Sequence, residues 1–272
     1  MFTVQSIPPD PLLSRFISRY VQRESQAWDA ETVEPVVARP GAMLEFQFAE
    51  PYDIPAYDTD RRNPSASVTV IGPITRRRVR LIIRGRVQAL AVLFRPLALY
   101  RLFGVPVHHL TDIGNDGQGV LGPEVSALHQ QLGNEPAILK RASLLNAFFR
   151  DRLARRPPID PVGRALRLLT VPGNNATASE ISRKAGISPR QLERKSLCYA
   201  GVSPNVLTRI SRFQNAVLIK SAGDTNWTEI AHVSGWYDQM HMIRDFRVFA
   251  GETPNRAMKQ IAPEHLIRFC GI

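Results

Sequence analysis

Two cysteines in 272 residues, Cys198 and Cys270, are too few for a disulfide framework, so this chain must hold its fold by packing. Cys198 reads as a small hydrophobe rather than a redox sensor. No apolar run reaches the roughly 18 residues of a membrane span, and no signal sequence opens the chain, because Met1 to Ile7 is short and Pro8-Pro9 interrupts it. The expectation is a soluble, cytoplasmic protein without a membrane partner. Acidic residues are the scarcer sign: 24 Asp and Glu against 35 Lys and Arg leave a formal charge of +11. That excess favours a polyanionic partner. It is spread along the chain, with 15 basic against 9 acidic residues from 157 to 272 and 20 against 15 before that. Basicity therefore supports phosphate attraction without choosing a sequence.

Enzymatic signatures are also missing. No glycine-rich phosphate loop appears, and no nucleophile, base and orienting group assemble in a recognisable order. The best enzyme reading is a small β-barrel, metal-dependent enzyme fused to a DNA-binding module, with His108, His109 and Asp112 around the metal. The histidine pair lacks further ligands at metal spacing, so neither a metal nor any other cofactor is expected. A third reading, a pure interaction protein, would bind DNA weakly and without regard to sequence.

What the chain does contain is a repeat. Residues 178 to 205 (ASEISRKAGISPRQLERKSLCYAGVSPN) and 228 to 255 (TEIAHVSGWYDQMHMIRDFRVFAGETPN) match at Glu180-Ile181 with Glu229-Ile230, Gly186 with Gly235, and Arg194 with Arg244. Ala200-Gly201 with Pro204-Asn205 recurs as Ala250-Gly251 with Pro254-Asn255; the offset grows from 49 to 50, a one-residue insertion. Each copy reads as an apolar helix, a glycine that ends it at positive φ, and a second helix begun by an N-cap: Ser188-Pro189 in the first copy, Asp238 in the second. Helix, glycine turn, helix is the helix-turn-helix pattern.

The second helix of each copy carries the chemistry. Leu192, Met242 and Phe246 take inward positions, leaving Arg190, Gln191, Arg194, Gln239, His241 and Arg244 outward. Arginine pairs bidentately with guanine and glutamine suits adenine in the major groove. Between the copies, Val206, Leu207, Ile210, Phe213, Val217 and Leu218 recur at helical spacing, which predicts one helix from about Pro204 to Ser221. At 1.5 Å per residue it spans about 26 Å, so two modules can be held at a separation approaching one DNA turn.

The stretch from about Asp160 to Lys259 resembles the DNA-binding domain of the AraC/XylS family of bacterial transcription regulators. The matching residues are Ala185-Gly186-Ile187-Ser188 with Leu192 and Arg194, then Gly235-Trp236, Asp238-Gln239, His241, Arg244-Asp245-Phe246, Phe249, Gly251 and Thr253-Pro254. The resemblance implies sequence-specific binding of double-stranded DNA, with Arg190, Gln191 and Arg194 at the bases in one unit and Gln239, Met240, His241 and Arg244 in the other; Ser188 and Lys195 are counted with the DNA-binding set, and Lys195, if it contacts phosphate, should weaken binding to all sequences when removed. One departure stands out. Ser196 occupies the place of Phe246, which predicts a thinned first core and a higher melting temperature for Ser196→Phe.

The first half is punctuated by proline and glycine. Pro11 to Val21 has helical spacing at Leu12, Leu13, Phe16, Ile17 and Tyr20; short strands are expected at Met43 to Phe48, Ser67 to Ile71, Val79 to Ile83 and Val87 to Phe94; helices are expected at Glu124 to Leu132 and Pro136 to Leu153. This predicts an α+β domain, a small β-barrel or sandwich with helices, over residues 1–155, and an all-α domain over 156–272, hinged at Arg155-Arg156-Pro157-Pro158. The arginines at 76, 77, 78, 80, 84 and 86 read as a solvated strand surface, and Asp53, Asp58 and Asp60 as a polar loop. Gly72-Pro73-Ile74-Thr75, Phe94-Arg95-Pro96 with Leu99, Leu110-Thr111-Asp112 and Leu121-Gly122 resemble the N-terminal regulatory domain of a subset of the same family. Such domains bind a small effector or mediate homodimerisation, and the sequence leaves open which applies, as it does RNA polymerase as a partner if the protein activates.

Overall fold

A computed structural model describes residues 3–25, 32–51, 53, 64–77, 80–83, 85–171 and 176–261. The first half is built on a six-stranded antiparallel sheet. Its strands are β1 (Thr3–Ile7), β2 (Ile17–Ser25), β4 (Met43–Gln47), β5 (Val68–Ile71), β7 (Val87–Phe94) and β8 (Gly114–Asp116), in the order β1-β2-β7-β4-β5-β8. A separate pair joins β3 (Thr32–Pro35) to β6 (Arg80–Ile83). Of the expected barrel or sandwich, the sheet is open and not a closed barrel: β1 and β8 are its two edges and do not pair with each other.

Helices α1 (Ala98–Phe103), α2 (Gly117–Leu121), α3 (Glu124–Gly133) and α4 (Ile138–Ala154) follow, with a 3-10 turn at Val107–Leu110. Phe94, Phe149 and Phe103 meet edge-on under this layer, with Leu44, Val92 and Leu145 fully buried beside them.

The expected helix at Pro11 to Val21 is not there. Residues 11 to 16 form turns, begun where the Asp10 carboxylate accepts from the Leu12 N–H at 2.9 Å, and β2 runs on from Ile17 between β1 and β7. A strand covered on both faces loses the alternation that marks strands, and here the apolar residues fell at helical spacing by coincidence. Leu12, read as buried, is 68% exposed.

The second half is helical: α5 (Pro161–Leu168), α6 (Ala178–Lys184), α7 (Pro189–Ala200), α8 (Pro204–Ala222), α9 (Trp227–Val233), α10 (Gln239–Phe249) and α11 (Pro254–Gln260). The first unit packs Ile181, Leu192 and Tyr199 on Leu207 near the start of α8. The second packs Ile230, Met242, Phe246 and Phe249 on Ile210, Phe213 and Val217 further along. One apolar face of α8 is thus divided between two small cores. Among the described residues, no helix is long and apolar enough to cross a membrane.

The two halves share these cores. Val36, Val37, Ala38, Ile74, Val87 and Ala89 belong to the cluster of the second unit, and Leu97 and Tyr100 to that of the first.

Candidate nucleic-acid interface

Local chemistry explains both helix-turn-helix units. Gly186 and Gly235 hold φ of 66° and 84° at the turns, where an L residue would be strained. Ser188 caps α7 by accepting from the Gln191 N–H while Gln191 accepts from the Ser188 N–H at 2.9 Å, a reciprocal capping box with Pro189 at the first helical position. Asp238 caps α10 by accepting from the His241 N–H at 2.7 Å. Its carboxyl lies below the usual range, held there first by that backbone bond and then by the His241 ring.

The predicted reading residues divide into groups. Arg190, Arg194, Gln239, Met240, His241 and Arg244 are exposed on α7 and α10, and none of the three arginines forms an ion pair among the described residues. Ser188 and Gln191 are exposed but already bonded to each other through the capping box, which leaves the Gln191 amide nitrogen to read. Lys195 is turned inward: its Nζ lies 3.0 Å from Asp160 Oδ2 and 2.7 Å from the Tyr199 hydroxyl. Those bonds, Tyr199 first, push the Lys195 ammonium above its ordinary range. Burial drives the Asp160 carboxyl upward, but the Gly163 N–H, Tyr199 and Lys195 outweigh it and hold the group low. Lys195 therefore anchors α7 to the start of α5, which competes with the phosphate contact expected of it.

Tyr237 was missed by sequence reasoning. It is 94% exposed between the turn glycine and the Asp238 cap, and its ring meets His241 edge-on at 6.1 Å. An aromatic outside every apolar stripe was its available signal. Asp245 has the opposite placement. It is buried under α10, accepting from Arg209 of α8 at 2.6 and 3.0 Å and from the Trp236 indole at 2.9 Å, which ties α10 to α8.

Ser196 is fully buried, and its hydroxyl donates to the Val202 carbonyl at 2.7 Å. The first core is closed around a hydrogen-bonded serine, so the expected sign of Ser196→Phe reverses. A ring there must break this bond and displace its neighbours, at a cost of about 1–3 kcal/mol for overpacking. Thermal melting should show a lower midpoint; an unchanged or higher one would mean that the site has room.

The C-terminal ends of α7 and α10 meet the first half at matching positions of the repeat. The Gly201 carbonyl accepts from the Thr111 hydroxyl at 2.7 Å. The Phe249 carbonyl accepts from the Ala38 N–H at 2.9 Å and the Ala250 carbonyl from Arg77 at 3.1 Å. A Cβ on Gly201 would lie 2.8 Å from Pro73, and one on Gly251 2.8 Å from Arg77. Pro73 to Arg77 therefore touches both units. The Asp112 carboxylate braces that segment, accepting from the Thr75 N–H at 2.7 Å and the Thr75 hydroxyl at 2.6 Å, while the Asp112 N–H donates to the Pro73 carbonyl at 3.0 Å. These contacts commit Asp112, which the enzyme reading had assigned to a metal; His108 and His109 are exposed, with ring centroids 4.0 Å apart.

Val79, Arg78, Arg84, Asp58, Asp60 and Cys270 lie outside the described residues.

Two parts of the chain match known families, and its fold is similar to that of a solved structure. Residues 181–260 match a helix-turn-helix domain family, and residues 5–115 match a family described as a domain of unknown function. No curated protein matches the chain. Among solved structures, the chain is similar to an apo variant of ToxT from Vibrio cholerae, at TM-score 0.50 and 10% identity over 89% of this chain and 98% of that one. ToxT with a bound unsaturated fatty acid gives TM-score 0.46 and 11% identity over 95% of each chain. CuxR, an AraC-like transcriptional activator, gives 0.29 and 18% over 76% of this chain and 84% of that one.

Proposed function

We propose that the chain is an AraC-type DNA-binding transcription regulator whose α7 and α10 enter two adjacent major-groove segments of one asymmetric site, a reading supported by the helix-turn-helix match over residues 181–260. The observation that carries this reading is the shared exposure pattern: each helix presents its N-terminal half, including Arg194 or Arg244, while its C-terminal end is packed on the first half. A helix N-terminus is the end that recognition helices bring to base edges. In this reading Arg190, Arg194 and Gln191 take hydrogen bonds in one half-site. Gln239, His241 and Arg244 do so in the other, where exposed Met240 and Tyr237 add apolar contact to thymine methyl groups.

Residues 1–155 act as the regulatory domain in this proposal, and 156–272 as the reading domain. The support for regulation is the pair of matched contacts at Gly201 and Gly251, which let a change in the first half reach both reading helices. Enzymatic and protein-docking readings have no comparable support.

Selection of bound sites from random DNA tests the proposal. The expected product is a bipartite motif with halves about one helical turn apart. A single half-site would remove one helix from the reading role, and indifference to sequence would remove both.

A further inference from the structure

We propose that the cleft between α1, the connection at residues 156–160 and α7 is a binding site for a small organic anion, its oxyanion head held by Arg101 and Arg156. The cleft encloses about 200 Å³, with Tyr100 and Tyr199 on one side and Pro157, Pro158 and Ile159 as an apolar wall. That volume lies below the range of drug-sized sites and fits a short carboxylate.

Arg101 supplies the strongest argument. Its side chain lines this cleft yet is only 8% exposed. One terminal nitrogen donates to the Leu153 carbonyl at 3.0 Å, and the other, Nη1, is buried without a hydrogen-bond partner among the described residues. Buried charged donors are costly to leave unmade and are normally paired. Burial first, and then the neighbouring Arg156 charge, depress the Arg101 pKa. Like charge is therefore gathered here.

The surroundings do not neutralise it. Arg167 stacks on the same Phe16 ring as Arg101, at 5.0 and 5.9 Å, and its Nε is also buried without a partner. None of the three arginines has an ion pair among the described residues. The carboxylate that lines the cleft, Asp160, is already bonded to Lys195 and Tyr199. Arg156 is held over Gly104, where an added Cβ would come within 2.0 Å of its guanidinium. A bidentate head such as a carboxylate matches the arginine fork.

Occupancy has a route to the reading domain. Tyr199 belongs to α7 and stacks on Tyr100 of α1 with centroids 4.4 Å apart, so a ligand beside that stack bears on the seat of the first reading helix. This coupling, unlike the binding itself, rests on the DNA-binding reading.

Calorimetric titration of the full chain with sodium butyrate, sodium acetate and inorganic phosphate, against sodium chloride at matched ionic strength, tests the site. Saturable butyrate binding is expected, tighter than acetate by up to about tenfold because the longer chain covers the apolar wall. Saturation by phosphate as well would assign recognition to the head alone, still at these arginines. Arg156→Gln, at a half-exposed position, should weaken binding at least fivefold with unchanged melting, and Arg101→Lys should weaken binding as much through loss of the fork. No saturable binding by any of the three anions, or binding that both variants leave intact, overturns the site. Butyrate should also shift operator affinity in the wild type but not in Arg156→Gln. Binding without that shift removes the coupling alone, whereas failure of the DNA-binding reading would appear as no sequence-specific affinity even without anion.

Discussion

Asp245→Ala should cost about 3 kcal/mol or more of stability, the largest effect expected from any single substitution in the helical half. The carboxylate is 6% exposed and satisfies two groups at once, the Arg209 guanidinium and the Trp236 indole N–H. Truncation leaves the buried indole donor unmade, at about 1–3 kcal/mol, and removes the bond between α10 and α8. Arg209 can recover part of its loss by turning to water, since 37% of its side chain is already exposed. Asp245→Asn keeps an acceptor for one of the two donors and should lose about half as much. Urea unfolding of both variants is the measurement. An alanine variant within about 1 kcal/mol of wild type would show that the buried bonds do not organise the second unit.

The second large effect concerns recognition. Arg194→Ala and Arg244→Ala should each lose about 1–3 kcal/mol at a selected site, five- to 150-fold in affinity, with non-specific binding almost unchanged. The two residues lie exposed on α7 and α10, whose cores on α8 are separate, so their losses should add in the double variant. Neither arginine is engaged in an ion pair among the described residues, so truncation removes nothing from the folded protein that melting would register. Band-shift titrations at two salt concentrations separate the cases. Wild-type affinity in both variants would mean that other residues read the bases, while equal losses on specific and random DNA would make these arginines phosphate contacts.

The helical half was legible because its signals are local. Ser188-Pro189, Asp238, Gly186 and Gly235 each act within four residues of themselves, and the period of Leu207, Ile210, Phe213 and Val217 needs no partner to be seen. The first half was legible only in part. Strands β4 and β7 carry dense apolar runs, but β2 is covered on both faces, and β8 is three residues of Gly-Asn-Asp made a strand only by pairing with β5. The partners of Lys195 were hidden for a related reason. Its partner Asp160 lies 35 residues earlier, and helical spacing on α7 cannot report a neighbour on another helix. The bonds between the halves are less visible still, since Ala38 and Phe249 meet only after the whole chain has folded.

The short bridge from Pro73 to Arg77, braced by Asp112, gives the two units a common yoke. Because Gly201 and Gly251 hold the same rank in their repeats, one rocking of that bridge would tilt both reading helices together rather than move them apart. The interval between half-sites would then be gauged by the sheet domain as much as by α8. A promoter whose halves are out of step should be rescued by changes near residue 75, far from any base.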